Sequence, residues 1–489
     1  MKKILLLLLV ASILFLAACQ NKADPSEKIT TDATTTQASG ETVETDDPNG
    51  SDELPADLTF QKDGSPADFI ILTQNYHAAV TDFVVDDNTT NTVEQNVFRR
   101  NAAVEERLGV FFEYLQKDYN QVNDTIRSLS VSDEKVDLIS SRASWAFLML
   151  TEGYFGDWKE VPYIHLEKTW WNQSSISELS VNEKAYILQG DINPSFITHT
   201  MCMYFNKNMV KSHLQDVDIF ELVNNFDWTY DRFYSLIKDT WISDDATKDN
   251  GDTYGFVAQV EHTLRTMQFA FDMKPTAKTL DGFPLLNIST DKWSDVSQKL
   301  YTLLYDTEGV YVDSTWTDYR NMFAAGKALF VSGMFAHALL GYYANMTDEY
   351  AIIPFPMYDD SQETYYTGVD NACSSVYYLK RNTETEKLGA VCEALAAYSY
   401  QNISPNIYEV ALKYRYSFSE EQRDMIDFIH NGISFDFGYI YNAAPMLSTL
   451  VGTNLSSDFA SYNRKNYKTW ETKITDFIDF YINGIQGEE

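Results

Sequence analysis

The feature that most restricts how this chain can fold is the order of hydrophobic patterns between residues 68 and 142. Asp68–Thr73 (Asp-Phe-Ile-Ile-Leu-Thr) is a short apolar run with the length and content of a buried strand. From Glu94 to Leu108 the apolar residues Val97, Val104 and Leu108, with Phe98 and Ala102, recur at helical spacing. Gly109 then stands where a helix stop belongs. Val110–Tyr114 is a second strand candidate, Val122, Ile126 and Leu129 mark a second helix, and Val136–Ile139 a third strand. This β-α-β-α-β order implies right-handed crossovers and a parallel sheet, hence an α/β fold. Ligands of such sheets sit beyond the carboxyl ends of the strands. Those loops begin here at Gln74-Asn75-Tyr76 and Ser140-Ser141-Arg142.

The rest of the pattern is sparser. Helices are expected over 292–304, 386–400 and 469–486, with Trp470, Ile474, Phe477, Ile478, Tyr481 and Ile485 forming one apolar stripe in the last. Thr200–Phe205 and Tyr350–Phe355 are strand candidates. At 489 residues the chain has room for two to four domains. Its 71 Asp and Glu against 37 Lys and Arg argue against nucleic-acid binding, which needs a basic face, and against electrostatic docking on an anionic membrane. The chain carries no GxG, which excludes the usual dinucleotide fingerprint, and no P-loop, GxSxG or HExxH. In Asp244–Asp252 the glycine stands at the wrong offset for an EF-hand, whose acids would fall on Ala246 and Lys248. Asn250-Gly251 reads instead as a tight turn. No metal or cofactor is expected.

The N-terminus is an address. Lys2 and Lys3 precede an apolar run from Ile4 to Ala18 that ends Leu16-Ala17-Ala18-Cys19. About 15 apolar residues are too few to span a bilayer, which needs about 20. Leu-Ala-Ala-Cys resembles a bacterial lipobox, so residues 1–18 are expected to be a signal peptide and Cys19 the lipidated N-terminus of an exported protein. Residues 19–62, rich in Thr, Asp, Glu and Pro, are expected to form a disordered tether. Cys202, Cys373 and Cys392 are an odd number, so at least one is a free thiol; as small hydrophobes all three fit a core.

Several stretches together resemble the family 1 extracellular solute-binding proteins, the lipoprotein receptors of sugar ABC importers, and most of all their clostridial-type members. They are Phe98–Val110, Thr169–Asn172, Tyr204–Lys207, Asp227–Thr229 and Phe323–Phe335 (Phe-Ala-Ala-Gly-Lys-Ala-Leu-Phe-Val-Ser-Gly-Met-Phe), followed by Tyr350–Pro354. The last segment departs from the family pattern, with Phe330 for the usual Met and Phe335 for the usual stacking Trp. The resemblance covers roughly residues 65–400. It implies a type II periplasmic-binding-protein-like fold with two α/β lobes, each a sheet flanked by helices, and a ligand cleft between them. Lobe one would be 63–185 plus 366–400 and lobe two 186–365 plus 401–489, with crossings near Tyr186–Asp191, Tyr366–Ser375 and Gln401. It also implies a monomeric receptor, anchored by lipid to the outer face of the cell membrane. Such a receptor captures a carbohydrate by hinge closure for permease subunits and does no chemistry. The alternatives are a lipid-anchored glycan hydrolase, a receptor for a non-sugar solute, or a binding protein serving a sensor.

A sugar needs flat aromatic surface and a rim of polar groups, and the chain has 9 Trp, 32 Tyr and 29 Phe. Position selects among the candidates. Asn75 and Tyr76 follow the first strand, and Ser141 and Trp145 the third. Asp370 and Asn371 lie at the second crossing. The resemblance adds Phe335, and Asp191 at the first crossing, where maltose-binding members use a carboxylate. Trp170, Trp171 and Trp228 are expected to be packing residues.

Overall fold

A computed structural model of the chain describes residues 51–75, 81–245, 247–370, 373–381, 383–413 and 420–482. Among these, twelve strands follow in chain order: β1 (Ala67–Asn75), β2 (Val110–Asp118), β3 (Leu138–Arg142), β4 (Met201–Asn206), β5 (Trp241–Ile242), β6 (Thr253–Gln259), β7 (Thr276–Lys278), β8 (Pro284–Leu286), β9 (Val310–Asp313), β10 (Ala328–Met334), β11 (Tyr350–Ile353) and β12 (Ser374–Tyr377). They form two main sheets and one small hairpin, β7–β8.

The first sheet has the order β12-β3-β1-β2, with β1 parallel to both β2 and β3 and β12 antiparallel at the edge. Its centre is β1, whose Phe69, Ile71 and Leu72 are fully buried. The crossover helix Thr92–Leu108 starts at Asn91, whose side chain accepts the Val93 and Glu94 N–H groups. It ends at Gly109, in the left-handed region at φ 62°, a conformation that costs glycine little. The Asp137 carboxylate, just before β3, ties that strand to β1 and to the helix carrying Lys387. It accepts the Ile70 N–H (2.8 Å) and pairs with buried Lys387 (3.1 Å).

The second sheet has the order β11-β4-β10-β6-β5, with β9 also laid parallel on β6. β10 runs parallel to β6 and antiparallel to β4, so the sheet is mixed. Sequence patterning missed β6 and β9. Each sheet has its own core, Trp158, Trp170 and Trp171 with Leu395 in the first and Trp228, Phe256 and Phe330 in the second. Trp170, Trp171 and Trp228 are thus packing residues, as expected. Cys202, Cys373 and Cys392 are buried free thiols.

Two of the segments that run between the sheets are hydrogen-bonded to each other. Leu188 and Val376 exchange backbone hydrogen bonds (3.2 and 2.9 Å). Further along, Met201 N–H donates to the Gly368 carbonyl (3.0 Å) and Asp370 N–H to that of His199 (3.0 Å). The last helix runs Phe459–Phe480, ten residues earlier than its apolar stripe suggested at the start. It serves both layers: Phe459 joins the second sheet's core, while Phe477 and Tyr481 pack in a cluster with Leu72 and Ile139 of the first.

The expected tether is too long. Asp52 pairs with Arg107 (Nη2 to Oδ1, 3.0 Å), Leu54 is buried against the first sheet's core, and Phe60 N–H donates to the Leu108 carbonyl (2.8 Å). The apolar Leu54, Leu58 and Phe60 give this polar stretch something to bury. Cys19 and the proposed signal peptide lie outside the described residues. Among those described, no helix is long and apolar enough to cross a membrane.

Candidate ligand-binding cleft

The carboxyl ends of the strands converge on a cavity of about 400 Å³. Arg142 ends β3 of the first sheet; Met334 ends β10 of the second. The helix after β6 contributes Glu261, His262 and Arg265, the turn after β9 contributes Trp316, the helix Asp318–Ala324 that follows it contributes Tyr319 and Arg320, and His199 and Asp370 come from the connecting segments.

Each wall is positioned locally. The Gln259 side chain caps the helix Val260–Ala270 by accepting the His262 N–H (2.7 Å), and Gln259 N–H itself donates to Ser332 Oγ on β10 (3.1 Å). Past β9, the Asp313 carboxylate accepts the N–H groups of Thr315 (2.5 Å) and Tyr319 (3.1 Å), which folds the turn carrying Trp316. Trp316 sits at φ 68°, a conformation unfavourable for a bulky side chain, and its indole is 43% exposed. The Arg320 guanidinium lies over the Tyr342 ring, 4.1 Å from its centroid, and donates to the Trp316 carbonyl (2.6 Å).

The electrostatics invert those of the whole chain. Three arginines face two carboxylates, and Arg265 holds both of these, Glu261 at 2.8 Å and Asp370 at 3.8 Å. Three of the seven histidines are here. Burial pushes His262 down to about 4; Asp370 opposes this, while Arg265, His199 and Arg320 add to it. His262 Nε2 lies 3.7 Å from Asp370, and with the imidazole neutral at pH 7 this contact is not a salt bridge. His337 is likewise lowered, first by burial and then by His262, Arg320 and His199; its Nε2 meets the Tyr319 hydroxyl at 3.0 Å. His262 Nδ1 is buried and has no hydrogen-bond partner among the described residues. A cavity of this kind offers fixed positive charge, neutral imidazoles and an exposed indole.

Of the residues expected from sequence, Asp370 lines this cavity. Trp145 stands behind the wall, its ring 5.1 Å from the Arg142 guanidinium and 5.2 Å from Tyr119. Ser141 precedes Arg142 within β3, faces Ser375 of β12 and is 1% exposed. Asn75 lines a separate, smaller cavity of about 70 Å³ with Asp82 and Ser195. Tyr76 and Asn371 lie outside the described residues.

Two candidates are corrected. Phe335 is fully buried against Tyr408 (5.6 Å, edge-on); its neighbours Met334, Ala336 and His337 face the cavity instead. Asp191 is 3% exposed, with its N–H bonded to the Trp170 carbonyl (2.9 Å); burial pushes its carboxyl up to about 7, against the pull of the Ser404 hydroxyl. It is an interior group. The residues that sequence reasoning missed are Trp316, Arg320, Arg265 and the three histidines. The available signal was His262 and Arg265 at i, i+3 after the apolar run Tyr254–Ala258, which marks a strand followed by a helix.

No protein-family model matches the sequence, and no curated protein does. Solved structures do match. A cyclo/maltodextrin-binding protein complexed with maltotetraose is 11% identical, the match covering 87% of this chain and 99% of that one with a TM-score of 0.51. The GacH receptor of Streptomyces glaucescens, solved unliganded and with acarbose, is 9% identical over 83% and 99%, TM-score 0.52. The galacto-N-biose/lacto-N-biose I-binding protein of the ABC transporter from Bifidobacterium longum, in complex with lacto-N-biose, is 13% identical over 86% and 99%, TM-score 0.52. The likeness is one of fold: this chain has the two-lobed α/β fold of periplasmic sugar-binding proteins.

Proposed function

We propose that this protein is the solute receptor of an ABC importer, lipidated at Cys19 on the outer face of the cell membrane, and that it captures a carbohydrate by hinge closure. The observation that carries the reading is the cavity itself. Side chains from the carboxyl ends of both sheets and from both connecting segments line one space with an exposed indole and a polar rim. The similar structures with maltotetraose, acarbose and lacto-N-biose bear on it through a shared fold. Lobe one is then the body around β1, β2, β3 and β12, and lobe two the body around β4, β6, β9, β10 and β11. The third crossing is better read near 432–434, where Thr367 exchanges backbone bonds with Gly432 and Ser434 (both 2.9 Å), than at Gln401. Binding would shift the equilibrium between open and closed lobes, and the closed form is what permease subunits would recognise.

A hydrolase needs a proton donor and a nucleophile or base. Here both cavity carboxylates, Glu261 and Asp370, lie against one guanidinium, that of Arg265 (2.8 and 3.8 Å). Thermal unfolding with a panel of mono- and oligosaccharides tests the proposal. A ligand at 100 times its dissociation constant adds about 2.7 kcal/mol to the folded state. A panel that shifts nothing refutes the carbohydrate reading, and turnover of a glycan by the purified protein would replace it with the hydrolase.

A further inference from the structure

Resting on the carbohydrate reading above, we infer that Asp82, which lies outside the cavity, is a positioning residue for ligand capture: through Ser195 it sets His199 so that the ring offers Nε2 to a ligand hydroxyl. The argument starts at the cavity wall. His199 lines it and is 6% exposed. Its Nδ1 lies 2.8 Å from the Ser195 carbonyl and 3.2 Å from Thr198 Oγ1. A carbonyl oxygen can only accept, so Nδ1 carries the proton in this bond. In a neutral imidazole the other nitrogen, Nε2, is then an acceptor. It has no hydrogen-bond partner among the described residues. Sugar hydroxyls donate as well as accept, whereas the cavity's guanidinium groups can only donate. An imidazole acceptor held in place supplies what they lack.

Ser195 is held from its other side. It belongs to the helix Pro194–Thr198, five residues that are all buried, which leads from the first connecting segment to His199. Asn193, in the N-cap place, makes no capping bond with its side chain. The cap comes from Asp82, 113 positions earlier, whose carboxylate accepts the Ser195 N–H (2.7 Å) and the Ser195 hydroxyl (2.8 Å). Asp82 is fixed in turn by Arg100. That guanidinium is fully buried and donates to the Asp82 and Ile192 carbonyls (2.5 and 3.0 Å), to Asn101 Oδ1 (3.1 and 3.0 Å) and to Ser399 Oγ (3.1 Å). None of these acceptors is a carboxylate oxygen, a costly way to bury a charge, and two of them are the backbone on either side of the Asp82–Ser195 contact. Ser195 Oγ also accepts the Ser374 N–H (3.2 Å) at the start of β12. The cavity beside Asp82 is about 70 Å³, against about 400 Å³ for the one that His199 lines, so Asp82 reaches the ligand only through Ser195.

The tautomer is read without ligand, from long-range proton–nitrogen correlation spectra of the histidine rings in the full-length protein, the His199 signals being identified by their loss in His199→Ala. The expected result is a proton on Nδ1 in the parent and a mixed or Nε2-protonated ring in Asp82→Ala. Asp82→Asn keeps an acceptor for the Ser195 N–H but turns an amide toward its hydroxyl, and should lie between the two. Affinity is read by calorimetry with the saccharides of the panel, maltotetraose and lacto-N-biose among them. Asp82→Ala should weaken a bound saccharide about 10-fold, the scale of one hydrogen bond, and should cost nothing further in a His199→Ala background. The same cycle run with Asp82→Asn decides if the alanine variant does not fold. A parent ring protonated on Nε2, an unchanged His199 spectrum in Asp82→Ala, or losses that add in the double variant each overturn this inference and leave the carbohydrate receptor standing. Binding of no saccharide at all removes the receptor reading itself, and with it the ligand role of His199, whatever the spectra show.

Discussion

Phe335 separates two accounts of this protein with one substitution. If its ring stacked on sugar, Phe335→Ala would weaken binding and leave the fold nearly intact. Its observed place predicts the reverse. The side chain is fully buried in a cluster with Tyr204, Val331, Tyr343 and Ile429, and its ring meets Tyr408 edge-on. A buried aromatic residue removes 150–250 Å² from water. Truncation to Ala gives up roughly 150 Å² of that, which at about 25 cal/mol per Å² is ~4 kcal/mol. That sum falls within the ~3–5 kcal/mol usual for core Phe→Ala changes. With a urea slope near 3 kcal/mol per M, the unfolding midpoint should drop by about 1 M. The assay pairs urea unfolding with titration of whichever saccharide the panel identifies. Trp316→Ala is the control, because its ring is 43% exposed in the cleft. It should cost roughly tenfold in affinity, comparable to one stacking contact, and less than ~1 kcal/mol in stability. A Phe335→Ala protein as stable as the parent but binding tenfold more weakly would refute the placement.

Three further outcomes are expected. Asp191 prefers its neutral form, so its folded state holds a proton that the unfolded chain releases above the usual value of 3.8; stability falls as pH rises from there to about 7 and is flat beyond. Asp191→Asn does not titrate, so its stability advantage over the parent should grow across that window by an amount of order 4 kcal/mol, and an unfolding series from pH 4 to 8 with a constant difference would contradict this. Deleting residues 51–62 should lower the melting temperature, whereas deleting 1–50 should not, because Asp52, Leu54 and Phe60 are bound to the body; calorimetry of the two truncations decides. Cys19→Ala should abolish metabolic acyl labelling and release the protein from the membrane, and labelling that persists would refute lipidation at that residue.

Residue order alone determined the elements whose signals are local. The strand at Asp68–Thr73, the helix closing on Gly109 and the packing role of Trp228 could be read because periodicity, a left-handed stop and a run of apolar neighbours act within about ten residues. Tertiary structure decided the site. Arg142, His199, His262, Arg320 and Asp370 lie far apart in the chain and meet only because of the strand order in two sheets, which no local pattern encodes. It also decided which of two neighbours faces the ligand. β10 ends at Met334 and the chain turns into a short helix at Phe335, which sends Phe335 into the core and leaves Met334, Ala336 and His337 on the cavity wall. A motif can mark that stretch of chain, but the side of the sheet that becomes the cleft is set by the second lobe packing against the first.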